Sequence, residues 1–228
     1  MKSAVIRNAI LTFVALFIGC VTVPAAAQSE QQRLVSASTT ALDNFLRDPQ
    51  MTWLQQNIGR AKGLLIAPEL VKAGFIFGGS GGRAVLVARD DRTGGWRGPV
   101  FYVLATASVG FQAGISVSEN MTLVMTDKGL NSLLATSVKL GGDASIAAGP
   151  VGAGAKSDIT VDLISFSRSK GVYGGLNLDG TVVTASDDWN NLYYKKRVLP
   201  PDVLVRGNAT NPQAASLLNA VARATNPR

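Results

Sequence analysis

No histidine occurs in the 228 residues. That absence removes the imidazole on which Ser-His-Asp and Cys-His mechanisms, most zinc sites and much acid–base chemistry depend. Cysteine is nearly as scarce. Cys20 stands alone in an N-terminal apolar stretch, which excludes an intrachain disulfide and the disulfide-rich secreted class. Charged residues make up 16% of the chain against 46% hydrophobic, a globular balance that supports one packed core. Glycine is missing between residues 28 and 58, whereas 22 of the 24 glycines lie between 59 and 180. The chain therefore divides into a glycine-free beginning and a glycine-rich body.

What is present at the start has the pattern of an export signal. Lys2 and Arg7 precede the uncharged run Ala9 to Val23, followed by Pro24 and the small-residue site Ala25-Ala26-Ala27. Cleavage is expected after Ala27, which places the protein in the periplasm or cell envelope. The competing reading is a lipoprotein signal, Leu16-Phe17-Ile18-Gly19-Cys20, with Cys20 acylated; Phe17, where leucine is usual, makes it a poor lipobox. Removal of residues 1–27 leaves 20 basic against 15 acidic side chains, a net charge of +5. Such an excess favours anionic partners, either membrane surfaces or acidic proteins. Export disfavours nucleic acid.

Residues 30–58 read as helical. Leu34, Ala37, Ala41, Leu42, Phe45 and Leu46 recur at three- and four-residue spacing, and Asp48-Pro49 supplies a cap and first-turn proline for a second short helix. From Gly63 to about 185 the period becomes that of strands. Expected turns are Gly78-Gly79-Ser80-Gly81-Gly82, Asp90 to Gly95, Ser118 to Asn120, and Asp179-Gly180, the last as a hairpin between Leu176-Asn177-Leu178 and Thr181-Val182-Val183. Ile159, Val161 and Leu163 share one face while Ile164 and Phe166 share the other, which calls for a bulge or a doubly buried strand. Further helices are expected at 186–196, with Trp189, Leu192 and Tyr193 on one side, and at 212–224 behind Asn211-Pro212. The uncharged span Gly98 to Ser118 is long enough to cross a bilayer. Its polar residues and β-branched content suit two buried strands around a glycine bend instead. The expected class is α+β: a glycine-rich, largely antiparallel sheet or barrel flanked by N- and C-terminal helices.

Three apparent catalytic or phosphate-binding motifs are present, and a structural reading of each is favoured. Gly78-Gly79-Ser80-Gly81-Gly82 satisfies GxSxG, but a nucleophile elbow needs a base. Ser167-Arg168-Ser169-Lys170 satisfies SxxK. In a strand-like run, however, residues three apart point to opposite faces, which opposes a serine–lysine hydrolase. Gly149 to Ser157 resembles a phosphate loop, but Ala155 separates the last glycine from Lys156. Asp90-Asp91 and Asp187-Asp188 suit a turn and a helix start. Neither a cofactor nor a metal is expected.

Several ordered segments resemble the SYLF-domain family: Ala61-Lys62-Gly63-Leu64-Leu65-Ile66-Ala67-Pro68, Val71-Lys72-Ala73-Gly74-Phe75, Gly81-Gly82-Arg83-Ala84-Val85-Leu86-Val87, Gly141-Gly142-Asp143-Ala144-Ser145 with Gly149-Pro150-Val151-Gly152, and Phe166 to Leu176. The likeness covers about residues 30–196, leaving 197–228 as a proline-containing connector and a last helix. It implies a non-enzymatic lipid-binding module. Eukaryotic relatives bind phosphoinositide membranes, with an N-terminal amphipathic helix implicated, and fungal relatives also bind actin filaments. An export signal without a Src-homology-3 domain makes actin a doubtful partner here. The expected function is thus binding of an anionic phospholipid surface in the envelope, the alternatives being a structural or protein-interaction module with an envelope partner and, less favoured, a histidine-free hydrolase using Ser167 and Lys170. Candidate headgroup contacts are Arg33, Arg47, Arg60, Lys62, Lys72 and Lys170, with Arg60, Lys62 and Lys72 as one patch. Candidate membrane-inserting residues are Leu34, Leu42, Phe45 and Leu46.

Overall fold

The structure is a computed structural model that describes residues 28–74, 77–109, 114–152, 160–169 and 178–226. The expected export signal with Cys20, the second half of the glycine–lysine loop, Ile159, Lys170 and the Gly171–Leu176 segment lie outside the described residues.

Helix α1 (Glu30–Arg47) starts where the Ser29 hydroxyl accepts the Gln32 N–H, and ends at Asp48. There the Asp48 carboxylate takes the Gln50 N–H and opens a 3-10 turn, Pro49–Met51, that leads into α2 (Thr52–Asn57). The sheet follows with β1 (Gly63–Gly74), β2 (Phe77–Arg89), β3 (Trp96–Val109) and β4 (Gly114–Val124). A short helix α3 (Asp127–Leu133) precedes β5 (Ser137–Lys139), β6 (Ile146–Ala148), β7 (Leu163–Ser169) and β8 (Val182–Ala185). Helices α4 (Asp187–Tyr194), α5 (Pro200–Leu204) and α6 (Ala215–Thr225) complete the chain. The strands form one eight-stranded sheet in the order β5-β8-β3-β2-β1-β4-β7-β6, antiparallel except for β6 with β7, curled into a half-barrel. The expected class is therefore the observed one.

Four local readings are corrected. The glycine run 78–82 is the interior of β2, paired on both sides, and Ser118 to Asn120 lies within β4. Glycine is used at 82 because the β1 bulge between Ile66 and Glu69 brings the Glu69 carbonyl where a Cβ would collide with it. Asp179-Gly180 is a turn, but the strand after it pairs with β3 and β5. Finally, α3 and α5 were not expected; both are too short to show a helical period.

The out-of-phase strand is resolved by double burial. In β7, Ile164 and Phe166 lie beside Leu123 and Met121 on the face covered by α1 and α2, where Trp53 stacks on Phe166 at 5.9 Å between ring centroids. Leu163, Ser165 and Ser167 point to the opposite face and are equally buried. The Asn120 amide there donates to Ser165 Oγ at 2.8 Å and its carbonyl accepts from Thr122 Oγ1 at 3.1 Å, so the buried polar atoms satisfy one another. Helix α6 joins the same core through Leu217 and Val221, and its Thr225 accepts the Trp96 indole N–H at 3.1 Å.

Asp162, just before β7, ties the start of α3 and the segment before β6 to the start of β7. Its carboxylate accepts from the Thr126 hydroxyl at 2.6 Å, from Ser145 Oγ and N–H at 2.8 and 3.0 Å, and lies 3.3 Å from the Lys128 ammonium. The Thr126 and Ser145 donors hold its carboxyl well below the usual carboxylate range. The folded pKa is thus below the unfolded value of about 4, so this contribution to stability is present above that value and lost as pH falls beneath it. Urea titrations of the wild type should show stability falling from pH 5 towards pH 2. In Asp162→Asn that limb should be shallower and neutral-pH stability about 2 kcal/mol lower; parallel curves would contradict this role.

Candidate functional site

Strands β1 to β4 extend past the helices as a protruding tip, and their side chains alternate with period two. One cross-strand row reads Val182–Ala105–Gly81–Val71–Val117, and the next Ala107–Gly79–Ala73–Ile115. Both rows lie on the helix-bearing face, continuing the apolar surface that α1 covers further along. Without a helix above them, Val71, Val103, Val117 and Val182 are 38%, 38%, 49% and 38% exposed, and Ile115 is 78% exposed. The opposite face of the same tip carries Lys72, Ser80, Thr106 and Ser116. The tip is thus a sheet with one apolar face and one polar, basic face, and few bulky side chains. The expectation that residues 98–118 form buried strands holds only at the inner end of β3, for Val100, Phe101, Tyr102 and Leu104.

Between this ledge and α1 lies a groove of about 400 Å³, lined by Arg33, Leu34 and Ala37 from the helix and by Glu69, Arg83 and Trp189 opposite. The Arg83 guanidinium stacks on the Trp189 ring at 3.9 Å from its centroid, and Arg33 lies 3.5 Å from Glu30. Two guanidinium groups from distant parts of the chain therefore flank one groove, together with the carboxylates of Glu30 and Glu69. Below it, Arg168 donates to Asp48 and to Glu119, both at 3.0 Å, and Asn44 donates to Glu119 at 2.7 Å. This network pins the end of α1 to β4 and β7.

The residues expected to contact lipid are not gathered as the sequence suggested. Arg33 and Leu34 lie at the groove. Arg47, at the other end of α1, is about 21 Å further on at 1.5 Å per residue. Lys62 and Lys72 mark opposite ends of β1, about 30 Å apart by strand rise, so Arg60, Lys62 and Lys72 do not make one patch. Lys62 is moreover paired with Asp127 at 2.7 Å, which holds its ammonium above its usual range, and Arg60 donates to Asn57 at 3.1 Å. Leu42 and Phe45 are fully buried between α1 and the sheet, and Leu46 is half-buried against the same core, so the α1 stripe is core rather than membrane contact. The burial has a simple cause: an amphipathic helix beside an apolar sheet face lowers its free energy by covering it.

Of the expected contacts, Lys72 lies on the polar face of the tip, whereas Arg83, Trp189 and the apolar tip residues are not among the residues the sequence points to. The alternation Val71-Lys72-Ala73 and Ile115-Ser116-Val117-Ser118 was a usable signal for a two-faced tip. The motif serines fall elsewhere: Ser80 is inside β2, and Ser167 is buried in β7 with its hydroxyl donating to the Glu119 carbonyl at 3.4 Å. Among the described residues no group of three or more Cys, Asp and Glu side chains is placed to hold a metal, and no helix is long and apolar enough to cross a membrane.

The fold is thus an eight-stranded, mostly antiparallel half-barrel flanked by helices, with a groove beside an exposed, two-faced sheet tip. A family model described as "Ysc84: Las17-binding protein actin regulator" matches residues 105–224, more than half of the chain, and the chain belongs to that family. The SYLF resemblance is borne out by this membership. Among similar proteins, SH3 domain-containing protein PJ696.02 of Schizosaccharomyces pombe is 32% identical over 185 residues, covering 75% of this chain and 42% of that protein. LAS seventeen-binding protein 3 of Saccharomyces cerevisiae is 31% identical over 142 residues, 59% of this chain and 30% of its own. SH3 domain-containing YSC84-like protein 1 of Homo sapiens is 27% identical over 165 residues, 70% and 48% respectively. The chain spans less than half the length of each of these relatives.

Proposed function

We propose that this protein is a non-enzymatic module of the periplasm or cell envelope that binds anionic membrane surfaces through the sheet tip. The observation that carries the reading is the amphipathic ledge. Ile115, Val117 and Val71 present apolar area on one face while Lys72 and the serines keep the other face polar, the division an interfacial element needs. In this reading Arg33 and Arg83 meet headgroup phosphates at the groove. A protein-interaction role is the second reading, favoured by the family description "Las17-binding protein actin regulator" and by the relative named LAS seventeen-binding protein 3.

Sedimentation with vesicles separates the two. Wild type should bind vesicles containing an anionic phospholipid, and binding should weaken as salt shortens the screening length from about 10 Å at 0.1 M to about 3 Å at 1 M. The double variant Ile115→Asp/Val117→Asp should lose binding by a factor of ten or more, because each aliphatic side chain taken from water contributes about 1.5 kcal/mol. Its fold should persist, since both side chains are exposed. Arg33→Gln/Arg83→Gln should remove about 1 kcal/mol per charge. Unchanged binding in the ledge variant would defeat the proposal, and absence of wild-type binding to any anionic vesicle would turn it towards the protein-interaction role.

A further inference from the structure

The large exposed hydrophobic residues among those described fall in two places only. Five form the ledge, and the other three, Leu192, Leu199 and Val205, at 67%, 48% and 49% exposure, surround the turn after α4. That turn is Lys195-Lys196-Arg197, three consecutive exposed cations. Leu192 was expected on the packed side of its helix; instead Tyr193 and Tyr194 face inward and Leu192 faces out. Lys195 ends the helix in the left-handed region at φ 54°, a conformation unusual for a residue with a Cβ. The charge balance is one-sided. Between 192 and 206 there are four basic residues and a single acidic one, Asp202, which is already paired with Arg206.

This surface has a pocket. The Lys196 ammonium donates to the Asn208 carbonyl at 2.6 Å, and the neighbouring Gly207 and Ala209 form one wall of a cavity of about 270 Å³. Trp96, Val203 and Leu218 also line it, and Arg97 and Arg206 stand at its margin. The site is remote from the ledge: Tyr194 donates to the Pro99 carbonyl at 2.7 Å, and Pro99 is six residues along β3 from Ala105, about 20 Å away.

We propose that the Lys195–Arg197 turn, with Leu192, Leu199 and the adjoining pocket, is a docking surface for an acidic protein segment bearing apolar anchor residues. Three cations without a surplus of nearby carboxylates call for negative charge, and exposed leucines flanking them call for apolar side chains interspersed with it. The pocket decides in favour of a protein segment over a lipid headgroup, because a concave, mostly apolar recess beside a charged rim fits one buried side chain. The ledge and this turn then give the domain two independent contacts, able to hold a protein segment about 20 Å from whatever the ledge rests on.

The test uses the full chain and a fluorescein-labelled 14-residue peptide in which Asp and Glu alternate with Leu and Trp at helical spacing, followed by fluorescence anisotropy. The acidic peptide should bind and its lysine-substituted counterpart should not. Lys195→Gln/Lys196→Gln/Arg197→Gln should weaken binding at least about tenfold, and Leu199→Ser alone should weaken it measurably. Both variants should keep the wild-type circular dichroism spectrum, since the altered side chains are exposed. The Ile115→Asp/Val117→Asp variant should bind the peptide normally, so loss of the ledge function leaves this site standing. Equal affinity of wild type and the triple variant, or no binding of the acidic peptide by wild type, would overturn the inference. A triple variant that loses anionic vesicles while wild type ignores the peptide would assign the turn to lipid instead.

Discussion

Truncation of Phe45 to alanine should lower unfolding stability by about 4 kcal/mol, measured by urea denaturation at neutral pH. The ring is fully buried beneath α1, in a core that includes Leu42, Met51, Leu54 and the sheet residues Ile66 and Phe166. Its removal leaves a ring-sized void among side chains already held by the strand registers, so relaxation can recover little of the lost contact. The same variant distinguishes the two roles open to an amphipathic helix. If Phe45 is core, the folded fraction should bind anionic vesicles with wild-type affinity. If stability is unchanged while vesicle binding falls, α1 must leave the sheet to enter the membrane, and the burial described here is not the binding state.

Replacing Arg168 by alanine should cost about 2–3 kcal/mol in the same measurement. Its guanidinium joins Asp48, whose side chain is 3% exposed, to Glu119, at 24% exposure, while Arg168 itself is 35% exposed. Loss of the cation leaves the Asp48 carboxylate buried with only its backbone donor and places it near a second carboxylate, the costly half of breaking a buried pair. Solvent access to Arg168 keeps the effect below that of a fully buried pair. Neutralising Asp48 should then restore part of the loss: Arg168→Ala/Asp48→Asn is expected to be less destabilised than the sum of the single variants. Strict additivity would show that the network is not energetically coupled.

The legible parts of this chain are those whose causes are local. Asp48-Pro49 and Asn211-Pro212 cap helices as expected because a side-chain oxygen and the N–H two residues on are neighbours in any such turn. The turn Asp90 to Gly95 closes through Asp90, which accepts from the Arg92 N–H and the Thr93 hydroxyl, for the same reason. Glycine misled where its purpose was remote. The run 78–82 looks like a turn, yet it is strand because a bulge thirteen residues earlier crowds Gly82 and because two neighbouring strands claim its backbone. The SYLF segments identified the family, and they did so without locating the ledge, since it is a property of register across five strands.

By itself the sequence determined the chemistry that is excluded, the helix-then-sheet order, the helix caps and the family. Those depend on residue type and on spacings shorter than one element. Only the tertiary structure decided which apolar residues are core and which are surface. Leu42 and Ile115 are equally hydrophobic, but α1 lies across one part of the sheet and stops short of the tip, so Leu42 is sealed and Ile115 faces solvent. It likewise decided which cations act together. Arg33 and Arg83 are fifty residues apart in sequence and share a groove, whereas Lys62 and Lys72 are ten apart and stand at opposite ends of a strand, because an extended chain carries near neighbours apart while packing brings distant segments together.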